Sequence, residues 1–181
     1  MKGIYLASFK ANHPNHQIIY QDIDGKRDLD GDMLTIDLED YDYIIATPPC
    51  NWWSRANYRR DSSIYALSTK LLLPCILYKL SLLGKPFIVE NVLNQKKFKE
   101  YQLFSIPDLY VYKIGRHVYW SNIELDVRDI TQVAKTDYKD GKKRYLSSQS
   151  LARTKRQGGD DVHEVIERFI QTIEGVSYAR Y

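Results

Sequence analysis

Two short segments carry the residues with the clearest chemical potential. Ala46-Thr47-Pro48-Pro49-Cys50-Asn51 places a cysteine directly after a Pro-Pro turn, and Glu90-Asn91-Val92 follows about forty residues later. A thiolate is a strong nucleophile, and a carboxyl group beside it can give or take a proton. Taken singly, each has a plain structural use, since Cys50 could be a small buried hydrophobe and Glu90 a capping or ion-pairing carboxylate. Taken together, they describe a nucleophile and an acid at one edge of a sheet. Directly after the thiol, the segment Asn51–Arg60 mixes Trp52, Trp53 and Tyr58 with Arg55, Arg59 and Arg60. Aromatic faces interleaved with cations suit stacking on bases and gripping of phosphates, and a Trp pair packed into the core is the competing reading. A second basic block, Lys142-Lys143-Arg144, lies between Tyr138 and Tyr145 and offers phosphate contacts too.

The elements that must position these groups can be read from apolar patterning. Gly3–Ala7 and Gln17–Gln21 read as buried strands, with a weaker one at Met33–Leu38. Tyr43–Thr47 is the strand that delivers the thiol, because Pro48-Pro49 cannot continue a sheet ladder. From Ser63, an N-cap, to Gly84, a C-cap, the spacing predicts a helix kinked at Pro74, with Cys75 in the core. Lys85–Val92 is the next strand, and strand, helix, strand makes a right-handed crossover of parallel strands. Cys50 and Glu90 then stand on neighbouring strands at the carboxyl edge, where open parallel sheets place their chemistry. Tyr110–Tyr112 and Val118–Trp120 read as an antiparallel pair, Lys135–Ser150 as a polar, basic loop, and residues 160–174 as an amphipathic closing helix.

Composition bounds the rest. At 181 residues, the chain predicts a single domain over 1–181, with no repeats or linker. Its net charge of +3 hides a polarity: Gln21–Asp42 holds nine acids against Lys26 and Arg27, whereas Gly141–Arg156 holds six bases and no acid. No stretch reads as the roughly 18 apolar residues of a membrane span, so no membrane partner is expected. The opening MKGIYLASFK has no long apolar region for export, which makes the cytoplasm the expected location. The two cysteines and four histidines show no metal-ligand spacing, and no metal site is expected.

Pro49-Cys50 and Glu90-Asn91-Val92 resemble, in identity, order and spacing, the catalytic motifs of the DNA cytosine C5-methyltransferases. The resemblance implies an α/β fold, a single three-layer Rossmann-like methyltransferase domain with a mixed, mostly parallel sheet. It implies catalytic roles for Cys50, Glu90, Asn91 and Arg116, the last preceding His117-Val118-Tyr119-Trp120. It implies S-adenosylmethionine as cofactor, held near Asp22, Asp24, Asp32 and Pro48, and DNA as partner, with single-stranded DNA or RNA also open. The candidate nucleic-acid contacts are Trp52, Trp53, Arg55, Arg59, Arg60, Lys142, Lys143 and Arg144. Two departures qualify the expectation. Ala7–Asn12 lacks the glycines of the family's cofactor loop, and the target-recognition region shrinks to about 123–157, so specificity falls to low or to a protein partner. Such short forms are similar to phage or mobile-element proteins, and an inactive, methyltransferase-derived binding module is the alternative. Of the two thiols, Cys50 is expected to be the more reactive.

Overall fold

The computed structural model describes residues 13–22, 28–54, 57, 61–128, 130, 136–139, 142–145 and 161–178. They fall into two compact units, Met1–Tyr41 and Asp42–Tyr181.

In the first unit, two-residue strands β1 (Gln21–Asp22) and β2 (Leu29–Asp30) pair in parallel, with Asp22 in register with Asp30. One backbone and one side-chain bond extend this pairing, since Leu29 N donates to the Tyr20 carbonyl at 2.9 Å and the Asp28 carboxylate accepts from Tyr20 N at 3.1 Å. Gly31, at φ +146°, follows the sheet, and a Cβ there would come within 2.8 Å of the Ile36 side chain, so only glycine fits. The expected strand at Met33–Leu38 is instead a turn. Asp32 Oδ1 accepts from Leu34 N, and Thr35 and Ile36 donate back to the Asp32 carbonyl, a local alternative to a ladder that aspartate favours. The expected strand Gly3–Ala7 lies outside the described residues.

The second unit is built on a four-stranded mixed sheet in the order β3-β4-β6-β5. Its strands are β3 (Ile44–Ala46), β4 (Phe87–Val92), β5 (Tyr110–Ile114) and β6 (His117–Ser121). Between β3 and β4 run the helices α1 (Ile64–Ser68) and α2 (Leu72–Leu83), and the two strands are parallel, Ala46 in register with Val89. The crossover unit expected from the sequence is thus present. Among the described residues the sheet is mixed rather than mostly parallel, for β6 runs antiparallel to both β4 and β5. The tight hairpin at Gly115, whose φ of +59° favours glycine, returns the chain beside β4 and sets that direction.

The helical segment begins with Ala66 N donating to Ser63 Oγ and ends at Gly84 in the left-handed conformation, as its caps foretell. Its break falls at Thr69–Leu71, earlier than expected. Pro74 sits in the first turn of α2, where a missing N–H costs no helical bond. By length and composition Ile64–Leu83 passes for a membrane span, against the expectation from the sequence. Leu73, Leu77 and Leu80 are nevertheless fully buried against the rest of the unit.

The helix α3 (Gln95–Glu100) follows β4, capped by Asn94. The closing helix α4 (Asp161–Tyr178) buries Val165, Phe169 and Ile170, the face its periodicity marks. Within the expected basic loop, β7 (Thr136–Lys139) and β8 (Lys142–Tyr145) pair as an antiparallel hairpin.

Candidate active site

The core of the site is the end of β4. Phe87, Ile88 and Val89 are buried, and the strand then turns polar as Glu90 and Asn91 pass the end of β3. Asn91 is buried, and its amide donates to the Pro48 carbonyl at 3.0 Å while its Oδ1 accepts from Val92 N at 2.9 Å. This bond fastens the buried Pro48 to the neighbouring strand. Beyond the thiol, Ser54 N donates to the Cys50 carbonyl at 2.7 Å and closes a turn, and Asn57 Nδ2 donates to the Asn51 carbonyl at 2.9 Å. Further on, Asn94 Nδ2 donates to the Trp53 carbonyl at 2.8 Å. Cys50 therefore rides on a segment held from both sides by asparagines of, and just after, β4.

Cys50 itself is half-buried. Burial pushes its thiol above the ordinary range, and the Glu90 carboxylate pushes it the same way, against a smaller opposing effect of a backbone hydrogen bond. The parallel register of Ala46 with Val89 brings the segments that carry Cys50 and Glu90 to the same end of the sheet. Cys75, expected in the core, is instead exposed, and Cys50 is the less accessible of the two thiols.

Arg116 occupies the β5–β6 turn with its side chain exposed, and its carbonyl accepts from Leu93 N just past β4. From that hairpin it is the neighbouring residue that reaches Glu90: His117 Nε2 stands 3.9 Å from Glu90 Oε1. His117 was hidden in the sequence because its proximity depends on β6 pairing antiparallel with β4, which sets Val92 against His117 and Glu90 against Tyr119. Register knowledge alone would have found it.

The aromatic pair after the thiol is a correction. Trp52 is 3% exposed and Trp53 fully buried. Trp53 packs within ring distances of 5.2 Å of Phe98 and 5.3 Å of Tyr101, and Phe98 in turn meets Trp120 at 5.3 Å. The Trp52 ring is covered by the ammonium groups of Lys70 and Lys97, at 5.0 and 5.4 Å. With these neighbours, neither ring has a face for a base, and their work is to anchor the Cys50 segment.

Arg55, Arg59 and Arg60 lie outside the described residues, as does Asp24. Lys142, Lys143 and Arg144 lie along β8, with Arg144 in register with Asp137. Asp22 lies in β1 and Asp32 in the turn after β2, both in the first unit. A carboxylate accepts from hydroxyl and amine donors, the groups that a ribose diol and an adenine amine present.

The family model described as C-5 cytosine-specific DNA methylase matches residues 5–121, more than half of the chain. No curated protein and no solved structure matches significantly.

Proposed function

The chain belongs to the C-5 cytosine-specific DNA methylase family, and from that premise we propose that it methylates carbon 5 of cytosine in DNA through a covalent bond to Cys50. DNA is the substrate of that family, which normally uses S-adenosylmethionine. The observation that supports the reading is the bond from Asn91 to the Pro48 carbonyl, which fastens the turn leading to Cys50 onto the strand that carries Glu90, parallel to β3.

The chemistry follows from the ring. Carbon 5 of cytosine is a poor nucleophile, and addition of the Cys50 thiolate to carbon 6 makes it enamine-like. Negative charge then builds on the ring. A protonated Glu90 at N3 and the Arg116 guanidinium near O2 would disperse it. The raised thiol fits this division of labour. An ionised Glu90 opposes the thiolate, and a proton on Glu90 removes that opposition. Asn91 keeps the Pro48 turn against β4 so that the thiol meets carbon 6. When bound, S-adenosylmethionine would supply the methyl electrophile, and Asp22, Asp24 and Asp32 are the acidic residues that would hold it. The target base must leave its stack to reach Cys50. Transfer of labelled methyl to cytosine-containing duplex DNA is the direct test, and its absence with DNA and cofactor bound would overturn the reading.

Two measurements probe the binding residues. Asp32→Asn keeps an oxygen for Leu34 N, so the turn survives, but it removes a charge. S-adenosylmethionine affinity should fall roughly tenfold by calorimetry, the worth of one charged hydrogen bond. Unchanged affinity would take Asp32 out of the cofactor site. On duplex DNA, three to six phosphate contacts give a log–log salt slope of about −3 to −5, and replacing Arg55, Arg59 and Arg60 by alanine should flatten it. A slope that does not change removes that loop from the backbone contact.

A second reading, a binding module without catalysis, is supported by the absence of glycine from Ala7–Asn12. Calorimetric titration with millimolar S-adenosylmethionine in the presence of DNA separates the two: no heat of binding favours the module.

A further inference from the structure

The helical segment Ile64–Leu83 is apolar on every side, yet only one side of it is covered. Ala66, Leu73, Ile76, Leu77 and Leu80 are buried, whereas Ile64, Leu67, Leu71, Tyr78 and Leu82 are exposed, and Cys75 with them. A helix apolar all round is ordinarily enclosed, so the outer face calls for a partner. At the two ends of the break between α1 and α2, Thr69 and Leu71 keep right-handed backbone angles.

That face has the spacing of a helix-pairing seam. Ile64, Ser68, Leu71, Cys75, Tyr78 and Leu82 follow one another at alternating steps of four and three, the 3.5-residue repeat of knobs-into-holes packing. Small Ser68 and Cys75 alternate with large Ile64, Leu71 and Tyr78 along it, and Leu82 ends it. We infer that this face pairs with the same face of a second copy of the chain, antiparallel, about a two-fold axis level with Leu73.

Antiparallel register about Leu73 sets Ile64 against the partner's Leu82, Ser68 against the partner's Tyr78, and Leu71 against the partner's Cys75. Each layer thus joins a large side chain to a smaller one or two of moderate size, which a symmetric interface requires of itself. The same register brings exposed Asp61 beside the partner's Lys85 at both ends. Between Ser62 and Lys85 the segment carries Lys70 and Lys79 and no acid, so a parallel pairing would set like charges side by side. The area also suffices. The four large seam residues Ile64, Leu71, Tyr78 and Leu82, together with the flanking Tyr65 and Leu67, are exposed by 44% to 86% and offer on the order of 800 Å², about the contribution of one partner to a standard interface.

Sedimentation velocity of the full chain from about 1 to about 100 µM should show a reversible dimer with a dissociation constant in the micromolar range. Tyr78→Lys and Leu71→Lys alter exposed positions and should leave the circular dichroism unchanged while weakening the dimer at least about a hundredfold, as burial of an unpaired cation demands. Under mild oxidation, Leu71→Cys should cross-link efficiently through the introduced thiol to the partner's Cys75, as mapped by mass spectrometry, and the wild type should not. Three results would overturn the inference: a wild-type monomer at about 100 µM, whether or not it binds phosphatidylserine vesicles; a dimer indifferent to Tyr78→Lys; or a dominant wild-type Cys75–Cys75 disulfide, which marks parallel register.

Discussion

DNA carrying 5-fluorocytosine should become covalently attached to the wild-type protein in the presence of S-adenosylmethionine, and Cys50→Ser should abolish both the adduct and all methyl transfer. The reason lies in the leaving step. After a methyl group reaches carbon 5, loss of the carbon 5 proton expels the thiolate, and fluorine at that position cannot leave as a proton, so the Cys50–carbon 6 bond persists. A serine hydroxyl has no comparable nucleophilicity without a strong base beside it. The fold should be indifferent to the change, because Cys50 is half-buried and its segment is held through the Pro48 and Trp53 carbonyls rather than through sulfur. Glu90→Gln splits the effects. Removing the carboxylate removes one of the two influences that raise the Cys50 thiol, so alkylation of Cys50 by iodoacetamide near neutral pH should become faster than in the wild type. Methyl transfer should fall by about 10²–10⁴, the range for loss of a proton-transfer group. In the wild type, the alkylation rate at Cys50 should rise only at pH above that of an ordinary thiol, and exposed Cys75 should react first. Faster alkylation together with slower transfer would be hard to obtain from simple misfolding. If mass spectrometry finds no adduct with DNA and cofactor both bound, the covalent mechanism is wrong for this chain.

Why the sequence disclosed Cys50 and Glu90 but misplaced their neighbours is a matter of which forces are local. Phe87–Val92 is a dense apolar run ending in polar residues, Gly84 is a helix stop, and Ser63 is a helix start; each is decided within a few residues, so the crossover unit was legible. The face of α2 that meets the sheet was not, because a segment apolar on all sides carries no periodicity to choose between Cys75 and Leu77. The hairpin of β7 and β8 was hidden in a basic, polar composition that says little about pairing. His117 needed the register of an antiparallel neighbour, which is a long-range fact. Trp52 and Trp53 illustrate the limit best. Aromatics mixed with arginines describe a base-stacking loop and a core anchor equally well, and only Phe98 and Tyr101, more than forty residues away, decide between them.

That decision has a large energetic consequence. Trp53→Ala should lower the stability of the protein by about 3–5 kcal/mol, the cost of emptying a fully buried aromatic site that its neighbours cannot refill. Against a total of roughly 5–15 kcal/mol for an ordinary domain, this brings the protein close to unfolding at physiological temperature. Trp53→Phe should cost far less, near 1–2 kcal/mol. Phenylalanine keeps a ring against Phe98 and Tyr101 and deletes an indole N–H that has no hydrogen-bond partner among the described residues. Urea denaturation followed by fluorescence of the remaining tryptophans gives both values. A base-stacking tryptophan would behave in the opposite way: Trp53→Ala would leave the midpoint in place and weaken DNA binding, by about 1–3 kcal/mol for a lost stacked base. In the anchored arrangement, DNA affinity of the folded variants stays near wild type, while methyl transfer falls with Trp53→Ala even below its unfolding temperature. The Trp53 carbonyl is held by Asn94 three residues from the thiol, so a ring that no longer fills its site loosens the segment that aims Cys50. An unmoved midpoint for Trp53→Ala would return this side chain to the nucleic-acid interface and leave Cys50 positioned by the Pro48–Asn91 bond alone.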